Sequence, residues 1–317
     1  MRRWFRSATA SIAASIPVIM LALFLFLTIY AWPAVRFNGL HFLYQDTWNL
    51  GRLYSDPISV GGQQVLPDAD YGILFLIVGT LLSSLMAMAL ALPVGIGTAL
   101  FLAEGAPRRL RGTLSFFVEL LAGVPSVVFG LWGYVVLIPL LSRHVYPMMA
   151  RFLGFIPFFG GPTGSGYGLL TAALVLALMI VPLIAATLRD AIVATPIALR
   201  EAGFSVGATS IEVFWKVVLP SLRRVLIGSS MLALGRALGE TMAVLMVSGN
   251  ALNYLPDNAY SPISTMSSFI VSQLDSALQD PTSMAVRALA EIALILLVIS
   301  AGVNMLARVL LRYAGGR

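Results

Sequence analysis

A short amphipathic segment lies between two apolar runs that are each long enough to cross a membrane. Its sequence is Glu201-Ala-Gly-Phe-Ser-Val-Gly-Ala-Thr-Ser-Ile-Glu-Val-Phe-Trp-Lys-Val-Val-Leu-Pro220. Pro196 and Pro220 bound the segment, and Gly203 and Gly207 interrupt it where a helix lying on lipid headgroups would not need them. We therefore expect a helix–turn–helix that docks on a partner protein, with a lipid-surface helix as the alternative.

The side chains of this segment support docking over lipid binding. On a helix, one side would be polar, with Glu201, Ser205, Thr209, Glu212 and Lys216. The other side would be apolar, with Phe204, Ile211, Phe214, Trp215 and Val218. Glu212 precedes Lys216 by four residues, which is the favourable order for an ion pair within a helix. The polar side is not strongly basic, unlike that of most helices that bind membrane surfaces.

The composition is that of a membrane protein. Of the 317 residues, 59% are hydrophobic and 11% are charged, whereas soluble proteins are about 45–50% apolar and about 25% charged. The chain has no cysteine, which excludes disulfides and thiol chemistry. The net charge of +6 is not gathered into one patch, so the sequence does not predict nucleic-acid binding.

Six apolar runs reach the length of about 20 residues that a spanning helix needs. They lie at 12–32, 71–103, 113–141, 168–188, 225–249 and 285–311. The first run is too long for a typical signal-peptide core and has no small-residue cleavage site before residue 31, so we expect a retained helix. Because lipid cannot hydrogen-bond a free backbone, the predicted fold class is all-α, a polytopic membrane protein with six transmembrane helices.

The cations sort by membrane side when the amino terminus is placed in the cytoplasm. Fourteen of the twenty then lie in inner segments: Arg2, Arg3, Arg6, Arg108, Arg109, Arg111, Arg189, Arg200, Lys216, Arg223, Arg224, Arg308, Arg312 and Arg317. Four lie in outer loops: Arg36, Arg52, Arg143 and Arg151. Cytoplasmic enrichment of Lys and Arg is the main signal of topology. Both termini and the 201–220 segment are therefore predicted to be cytoplasmic.

The chain shows no interdomain linker and no repeat. We predict a first part, residues 1–70, with the amino-terminal helix and an outer loop, and a core, residues 71–317, whose cytoplasmic loop covers about 190–224. The outer loop at 142–167 ends in a glycine-rich stretch that only superficially resembles a phosphate cradle. A mobile connection is the expectation there, with a gate or a partner contact as the alternative.

Two charged residues lie inside the fifth apolar run. Arg236 and Glu240 are four residues apart and are predicted to share one helix face. A charge near the middle of a membrane costs about 2.5–3.5 kcal/mol on insertion scales, so it usually faces a cavity or a partner. Gly235 and Gly239 form Gly-x-x-x-Gly, a pattern of close helix packing. The sequence predicts an anion path at a subunit interface, and a purely structural ion pair is the alternative.

Two further acids lie within predicted spans. Glu119, in the third run, precedes Pro125, which is expected to kink the helix. It is a candidate for the substrate path or for a structural role. Glu291, in the sixth run, is expected to be structural, with Arg287 one turn earlier as its partner. Either acid could neutralise Arg236 or meet a cation on another chain.

Several kinds of site are excluded by the sequence. Lys216 is the only lysine, and a nucleotide-binding Walker A motif needs Gly-Lys followed by Ser or Thr. His41 and His144 lie in separate outer loops, which argues against a histidine metal site or a catalytic triad. We therefore expect no catalytic residue, no metal ligand and no cofactor in this chain, and an energy source in another subunit.

Three motifs resemble the C-type permease subunits of the phosphate-specific ABC importers. They are Glu119-Leu-Leu-Ala-Gly-Val-Pro-Ser-Val-Val-Phe-Gly130, the 201–220 segment and Gly235-Arg-Ala-Leu-Gly-Glu-Thr-Met-Ala243. The 201–220 segment is similar to the EAA loop of type I ABC importer permeases, although Gly203 stands where many such loops have a second alanine. The motif around Arg236 is narrower and points to the phosphate branch. The resemblance covers essentially the whole chain.

The resemblance implies a fold, a membrane and a set of partners. The fold would be that of a type I ABC importer permease in the bacterial inner membrane. A sister A-type permease would complete the path as a heterodimer, and an extracytoplasmic binding protein would deliver inorganic phosphate. Two copies of a cytoplasmic ATPase would bind ATP and magnesium. Contact with phosphate-sensing signalling proteins of a histidine-kinase pathway is also implied.

The resemblance also implies roles for individual residues. The ATPase would dock on residues that match the EAA loop and its surroundings, namely Glu201, Ala202, Gly207, Phe214, Leu219 and Pro220. Arg236 would bind the anion. Glu240 would hold Arg236 in position or accept the proton of hydrogen phosphate, and we favour the first role.

Other functions stay open from the sequence. A permease for sulfate, molybdate or phosphonate would share the architecture, although the motif around Arg236 argues against it. A gradient-driven anion transporter or channel would use the embedded charges but would not need an EAA loop. A signalling scaffold would sense occupancy without moving much substrate.

Overall fold

The computed structural model describes residues 2–314, and the side chains of residues 9–312 apart from 307, 310 and 311. The predicted cytoplasmic cations Arg2, Arg3, Arg6 and Arg317 lie outside the residues whose side chains are described. The protein is mostly helical, as predicted. It divides into two compact units, each formed by two stretches of the chain.

The first unit contains the chain up to Leu74 together with Ile270–Val298. Its amino-terminal elements are α1 (Arg2–Asn38), α2 (His41–Tyr44), β1 (Trp48–Asn49), β2 (Ile58–Val60), β3 (Gln63–Val65) and β4 (Asp70–Tyr71). The strands form two antiparallel pairs, β1 with β4 and β2 with β3. Trp48 lies opposite Tyr71, and their buried rings are 5.0 Å apart. The predicted outer loop is therefore an ordered structure around an aromatic pair.

The second unit contains Phe75–Phe269 together with the residues from Ile299 onward. In chain order, and across both units, the helices that follow β4 are α3 (Leu74–Leu100), α4 (Arg108–Ala122), α5 (Ser126–Trp132), α6 (Ile138–Leu140), α7 (Tyr146–Leu153), α8 (Leu169–Val193), α9 (Ile197–Ser205), α10 (Ser210–Val213), α11 (Leu219–Ser221), α12 (Arg223–Leu238), α13 (Met242–Val247), α14 (Met266–Ala277) and α15 (Met284–Ala314). Residues 270–298, in α14 and α15, belong to the first unit. Four π-helical turns continue these helices, at Phe101–Gly105, Gly133–Leu137, Leu141–Val145 and Phe214–Val218, and Pro157–Phe159 is a 3₁₀ turn.

Five helical stretches are long and apolar enough to cross a membrane. They are Thr9–Asn38, Leu74–Gly105, Ser126–Leu153, Leu169–Val193 and Met284–Leu306. A sixth is present if Ser210–Ser221 and Arg223–Leu238, which meet at a 72° bend, are counted as one broken span. The prediction of a polytopic helical protein is confirmed, but the third and fifth predicted spans are not continuous helices.

The predicted third span is divided at Pro125. Helix α4 ends at Ala122, and Pro125 precedes α5 with an extended backbone (ψ 139°). Proline lacks the backbone donor that would continue the helix and disfavours a helical conformation in the residue before it. The expected kink is thus a complete break, and Glu119 lies on α4 rather than in the third span.

The predicted fifth span is divided at residues 239–241. Helix α12 ends at Leu238 and α13 begins at Met242. The prediction that Arg236 and Glu240 share one helix face is therefore wrong, because only Arg236 is in a helix.

Helix α8 is the centre of the second unit. In its most apolar window, 72% of the residues are buried. Small residues on the neighbouring helices, such as Ala91 on α3 and Ala233 on α12, form a buried cluster with Ile180 and Ile184 of α8. Such small side chains let helix backbones approach closely. Because α12 packs against this buried helix, the position of Arg236 is fixed by the core.

Candidate functional site

The interruption between α12 and α13 is held by two hydrogen bonds of Glu240. Its carboxylate accepts a hydrogen bond from the backbone N–H of Ala243 (3.2 Å), one of the free donors at the start of α13. Its main-chain oxygen accepts a hydrogen bond from the hydroxyl of Ser267 (2.7 Å). The break in the helix is therefore held by both the side chain and the main chain of Glu240.

Arg236 lies in the last turn of α12 and is partly buried. Among the described residues, neither Glu240 nor any other acid forms an ion pair with it. A Cβ atom added to Gly235 would meet no atom within 4 Å, and one added to Gly239 would meet only the Gly235 oxygen, at 3.7 Å. The expected close packing of these glycines is therefore not made within this chain. Among the described residues, Arg236 therefore has no ion-pair partner, and the space beside Gly235 is not filled by any other residue.

A cluster of hydroxyl side chains supports the interruption from α14 and α3. The Thr80 hydroxyl accepts a hydrogen bond from the backbone N–H of Met266 (2.9 Å). A Cβ added to Gly79 would lie 2.2 Å from the Ser264 oxygen, so the two segments are in direct backbone contact. The sequence reasoning missed this cluster. The run of serine and threonine at 264–268 is a helix-start pattern that would have indicated it.

Glu119 is paired with a different arginine from the one expected. Its carboxylate lies 2.9 Å from a guanidinium nitrogen of Arg189, which also binds Asp190 at 2.5 Å. The expectation that Glu119 could neutralise Arg236 is not met within this chain. Glu119 and Arg189 instead join α4 to the end of α8.

Glu291, in the first unit, also has an unexpected partner. Its buried carboxylate accepts a hydrogen bond from the side-chain amide of Asn38 (2.8 Å). Arg287 forms no ion pair with it among the described side chains, so the predicted pair is wrong. The structural role expected for Glu291 fits this contact, which joins α15 to α1.

The start of α15 is held by another buried acid of the first unit. Asp280 accepts hydrogen bonds from the backbone N–H groups of Thr282 (2.8 Å) and Ala285 (2.9 Å). Burial, and then the nearby charge of Asp280, raise the pKa of Tyr71 above its usual value. Tyr71 therefore stays neutral and serves the packing of the aromatic pair.

The segment after α8 is a helix–turn–helix, as predicted. Helix α9 ends in a turn in which Gly207 has a φ of +82°, a conformation that favours glycine. Thr209 then caps α10 in a reciprocal capping box, in which Glu212 accepts a hydrogen bond from the Thr209 N–H (3.0 Å). These Thr209 contacts, followed by Lys216 at 3.3 Å, hold the pKa of Glu212 below its usual range.

The apolar residues of this segment do not share one side. Phe214 and Val218 are buried in a cluster with Leu188 and Ile192 of α8. Phe204, Ile211 and Trp215 are 49%, 71% and 53% exposed. Packing against α8 therefore decides which of these apolar side chains are buried. The segment is therefore anchored on one side and carries free apolar side chains on the other.

The residues predicted to dock on a partner likewise include both exposed and buried side chains. Glu201, Ala202, Gly207 and Pro220 are exposed, and Leu219 is partly buried. Phe214 is buried, so it supports the segment and cannot itself contact a partner. Arg200 forms an ion pair with Glu104 and donates a hydrogen bond to the Ile192 oxygen (2.8 Å), which fixes the segment to the ends of α3 and α8.

Close packing within the helix–turn–helix explains why position 203 is a glycine. A Cβ added there would lie 2.9 Å from a methyl group of Val213. The two halves of the helix–turn–helix therefore pack closely at this glycine, where an alanine would force Val213 to move.

The glycine-rich outer loop is bounded by backbone contacts to the 258–261 segment, and the expectation of a mobile connection between these contacts stays a prediction. The backbone N–H of Ala259 donates a hydrogen bond to Phe158 (2.8 Å), and that of Leu169 to Ser261 (2.9 Å). Beside this contact, a cleft of about 420 Å³ is lined by Ser165, Tyr167 and Asn250 among others. The residues that flank this loop thus contact the 250–263 segment, and the cleft lies between the loop and the end of α13.

Comparison with known families gives a match over most of the chain. Residues 91–315 match the family model described as the binding-protein-dependent transport system inner membrane component. This range includes both the interruption and the helix–turn–helix.

Several curated proteins are similar over nearly their whole length. The phosphate transport system permease protein PstC 1 of Mycobacterium tuberculosis is 43% identical, over 90% of this chain and 85% of that protein. PstC of Pasteurella multocida is 37% identical, over 97% and 90%. A probable PstC of Methanocaldococcus jannaschii is 32% identical, over 83% and 81%.

One solved structure is similar in fold. It is a chain of the MetNI methionine ABC transporter in an inward-facing conformation, with a TM-score of 0.52 and 16% identity, covering 76% of this chain and 97% of that chain. At this identity the likeness concerns the fold alone, which is that of an ABC importer permease.

Proposed function

Since the chain belongs to the PstC family of phosphate transport permeases, we propose that it forms one half of a path for inorganic phosphate, coupled to ATP hydrolysis by a separate subunit. The observation that carries this proposal is the partly buried Arg236, which has no acidic partner among the described residues and lies beside a break in a helix. A cation left unpaired at membrane depth is costly unless it meets an anion or a cavity.

The chemistry of Arg236 suits phosphate. A guanidinium group can donate two parallel hydrogen bonds to the oxygens of a phosphate, and these charge-assisted bonds are stronger than neutral ones. Irregular backbone is tolerated at membrane depth only where it is buried in protein or lines a polar cavity. The break at residues 239–241 therefore supports a path that passes beside the end of α12.

Glu240 acts in this proposal through the backbone. A carboxylate would repel the anion if it faced the path directly. Its hydrogen bond to Ala243 directs it toward the start of α13, and Ser267 holds its main-chain oxygen. Glu240 thereby fixes the geometry of the break in which Arg236 lies. This replaces the direct support of Arg236 that the sequence suggested.

The helix–turn–helix would couple the path to the ATPase. Its exposed apolar residues, Phe204, Ile211 and Trp215, offer contacts for a cleft on a partner. Its buried residues Phe214 and Val218 pack on α8, the same helix that supports α12. A force on the docked segment would therefore reach the substrate path through one packed core. ATP and magnesium would be held by two copies of the ATPase.

The remaining partners follow from the family and from surfaces that this chain leaves open. A sister A-type permease would pack on the bare face of Gly235 and complete the path. An extracytoplasmic phosphate-binding protein would meet the outer loops, and phosphate-sensing proteins would contact the assembly. We also propose that both termini are cytoplasmic, on the basis of the charge asymmetry, and that the protein lies in the bacterial inner membrane, as the family implies.

The test is uptake of labelled phosphate into proteoliposomes that hold this chain with its co-expressed partners and binding protein. ATP-dependent uptake that excess sulfate does not inhibit is the expected result. Uptake that ignores ATP and follows an ion gradient would instead identify a secondary transporter. Inhibition by sulfate or molybdate would overturn the assignment of phosphate as the substrate.

A further inference from the structure

A cleft of about 590 Å³ lies between α4 and the end of α8, away from Arg236. One face of α4 lines it from Arg108 through Arg111, Ser115 and Phe116 to Glu119. Arg108, Arg111, Ser115 and Glu119 are three or four residues apart, so they follow one another along one face of the helix, and Phe116 lies next to Ser115. The other wall carries Arg189, Asp190, Val193 and Ala194.

The charges in this cleft are unequally paired. Arg189 is bound by both acids of the cleft, Glu119 and Asp190. Arg108 and Arg111 form no ion pair with any described residue. Glu119 is eight residues from Arg111, about 12 Å along the helix. The end of the cleft at Arg108 and Arg111 is therefore positive, and the acids are held at the other end.

Arg111 has an unused donor in this positive end. Its Nε atom is buried and makes no hydrogen bond to any described residue, while another of its nitrogens donates only a long bond to the Ala106 oxygen (3.4 Å). Buried polar atoms of proteins are nearly always paired. Arg111, which lines the cleft, is therefore poorly satisfied by the described residues, and an anion in the cleft would bind its terminal nitrogens rather than this buried one.

The cleft is also apolar at its rim. Phe116 and Val193, which line it, are 58% and 62% exposed. A phosphate group between two arginines, with hydrocarbon beside it, matches a phospholipid better than a free ion. Basic pockets between membrane helices are known to bind acidic headgroups.

We propose that Arg108 and Arg111 bind a phosphate group in this cleft, carried by an acidic phospholipid of the adjacent leaflet or by free phosphate. The exposed Phe116 and Val193 favour the phospholipid. The lining of this cleft does not include Arg236, and the binding proposed for Arg108 and Arg111 does not depend on which anion the path carries.

The test uses the purified, delipidated complex of this chain with its partner subunits. Three probes are added separately: phosphatidylglycerol, phosphatidylcholine and inorganic phosphate. Bound lipid is counted by native mass spectrometry, and bound phosphate by equilibrium dialysis of the labelled ion. The variant is Arg108→Gln with Arg111→Gln. The matched control, Arg143→Gln with Arg151→Gln, removes two exposed arginines from the Ser126–Leu153 stretch, away from the cleft.

We expect phosphatidylglycerol to bind more tightly than phosphatidylcholine, and the variant to weaken its binding by about fivefold per arginine, with little change in the control. Phosphate that binds in an arginine-dependent way, without preference for the acidic lipid, would support the site with free phosphate as its ligand. Equal binding of every probe by the variant and the unaltered complex would overturn the proposal. Because the readout is binding, a failure of phosphate transport would leave this result unaffected.

Discussion

The helix–turn–helix at 197–221 and the interruption at 236–242 differ in how many of their charged groups and packing surfaces find partners within the described part of this chain. In the helix–turn–helix, Glu212 accepts a hydrogen bond from Thr209 and forms an ion pair with Lys216, and Arg200 forms an ion pair with Glu104. In the second, Arg236 has no acid among the described residues, and Gly235 faces open space. The first element is satisfied by contacts within the chain and presents an exposed surface, whereas the second, in the function proposed above, is half of a site that a further chain and a substrate would complete.

Because of this difference, mutations in the two regions should affect different properties of the protein. Changes at the interruption should reduce transport while the subunits still assemble. Changes on the exposed side of the helix–turn–helix should release a partner while the path stays intact.

The largest effect is expected for Arg236→Gln. Charge-assisted hydrogen bonds contribute about 1.5–3 kcal/mol each, so losing a two-bond contact to phosphate should lower uptake by roughly 100-fold or more. Removing a membrane-embedded charge should not hinder insertion or assembly. Uptake in proteoliposomes measures the first effect, and co-purification of the partner subunits measures the second.

Arg236→Lys is the matched control for this variant. Lysine keeps the charge but lacks the planar two-bond donor, so intermediate uptake is expected. If Arg236→Gln transports phosphate at the unaltered rate, Arg236 is not in the path, and the interruption would then be only structural.

A smaller effect is expected for Gly207→Trp. Gly207 lies in the turn, and a Cβ added there would meet no described atom within 4 Å, so an indole is expected to project toward the docked ATPase. A mismatch of about 1–3 kcal/mol, from strain at this positive φ and from the clash, should lower the co-purifying ATPase by roughly tenfold or more.

Gly207→Asn separates size from backbone strain. Asparagine tolerates a positive φ better than other residues and is much smaller than tryptophan. It should retain most of the ATPase. Equal retention by the Trp variant would mean that the ATPase does not approach the turn, which would remove the docking role from this segment.

The two regions also differ in how far the sequence could predict them. Pro196, Gly207 and the Thr209–Glu212 capping box act within a few residues, so the helix–turn–helix could be predicted from local patterns. The separation of buried Phe214 from exposed Trp215 could not be predicted, because it depends on the contact of Phe214 with α8.

At the interruption, the deciding contacts are distant in sequence. Residues 225–249 read as one apolar run, and a single glycine is common within membrane helices. At the break after Leu238, the main-chain oxygen of Glu240 accepts a hydrogen bond from Ser267, which is 27 residues further along the chain. The pairing of Glu119 with Arg189 likewise joins residues 70 positions apart. Composition and spacing identified the charges correctly, but the tertiary fold decided their partners.

The smallest effect, and the most specific one, is expected for Ser267→Ala. The Ser267 hydroxyl donates to the main-chain oxygen of Glu240 at 2.7 Å and is largely buried, so its loss leaves a buried acceptor unsatisfied. Such a loss costs about 1–3 kcal/mol. If the bond positions the break, the uptake rate should fall by about fivefold or more while phosphate-independent ATPase association stays unchanged. Ser267→Thr keeps the hydroxyl and should restore most of the uptake, which a merely space-filling role would not require. Uptake that is unaltered in both variants would show that Glu240 and α13 hold the interruption without help from α14.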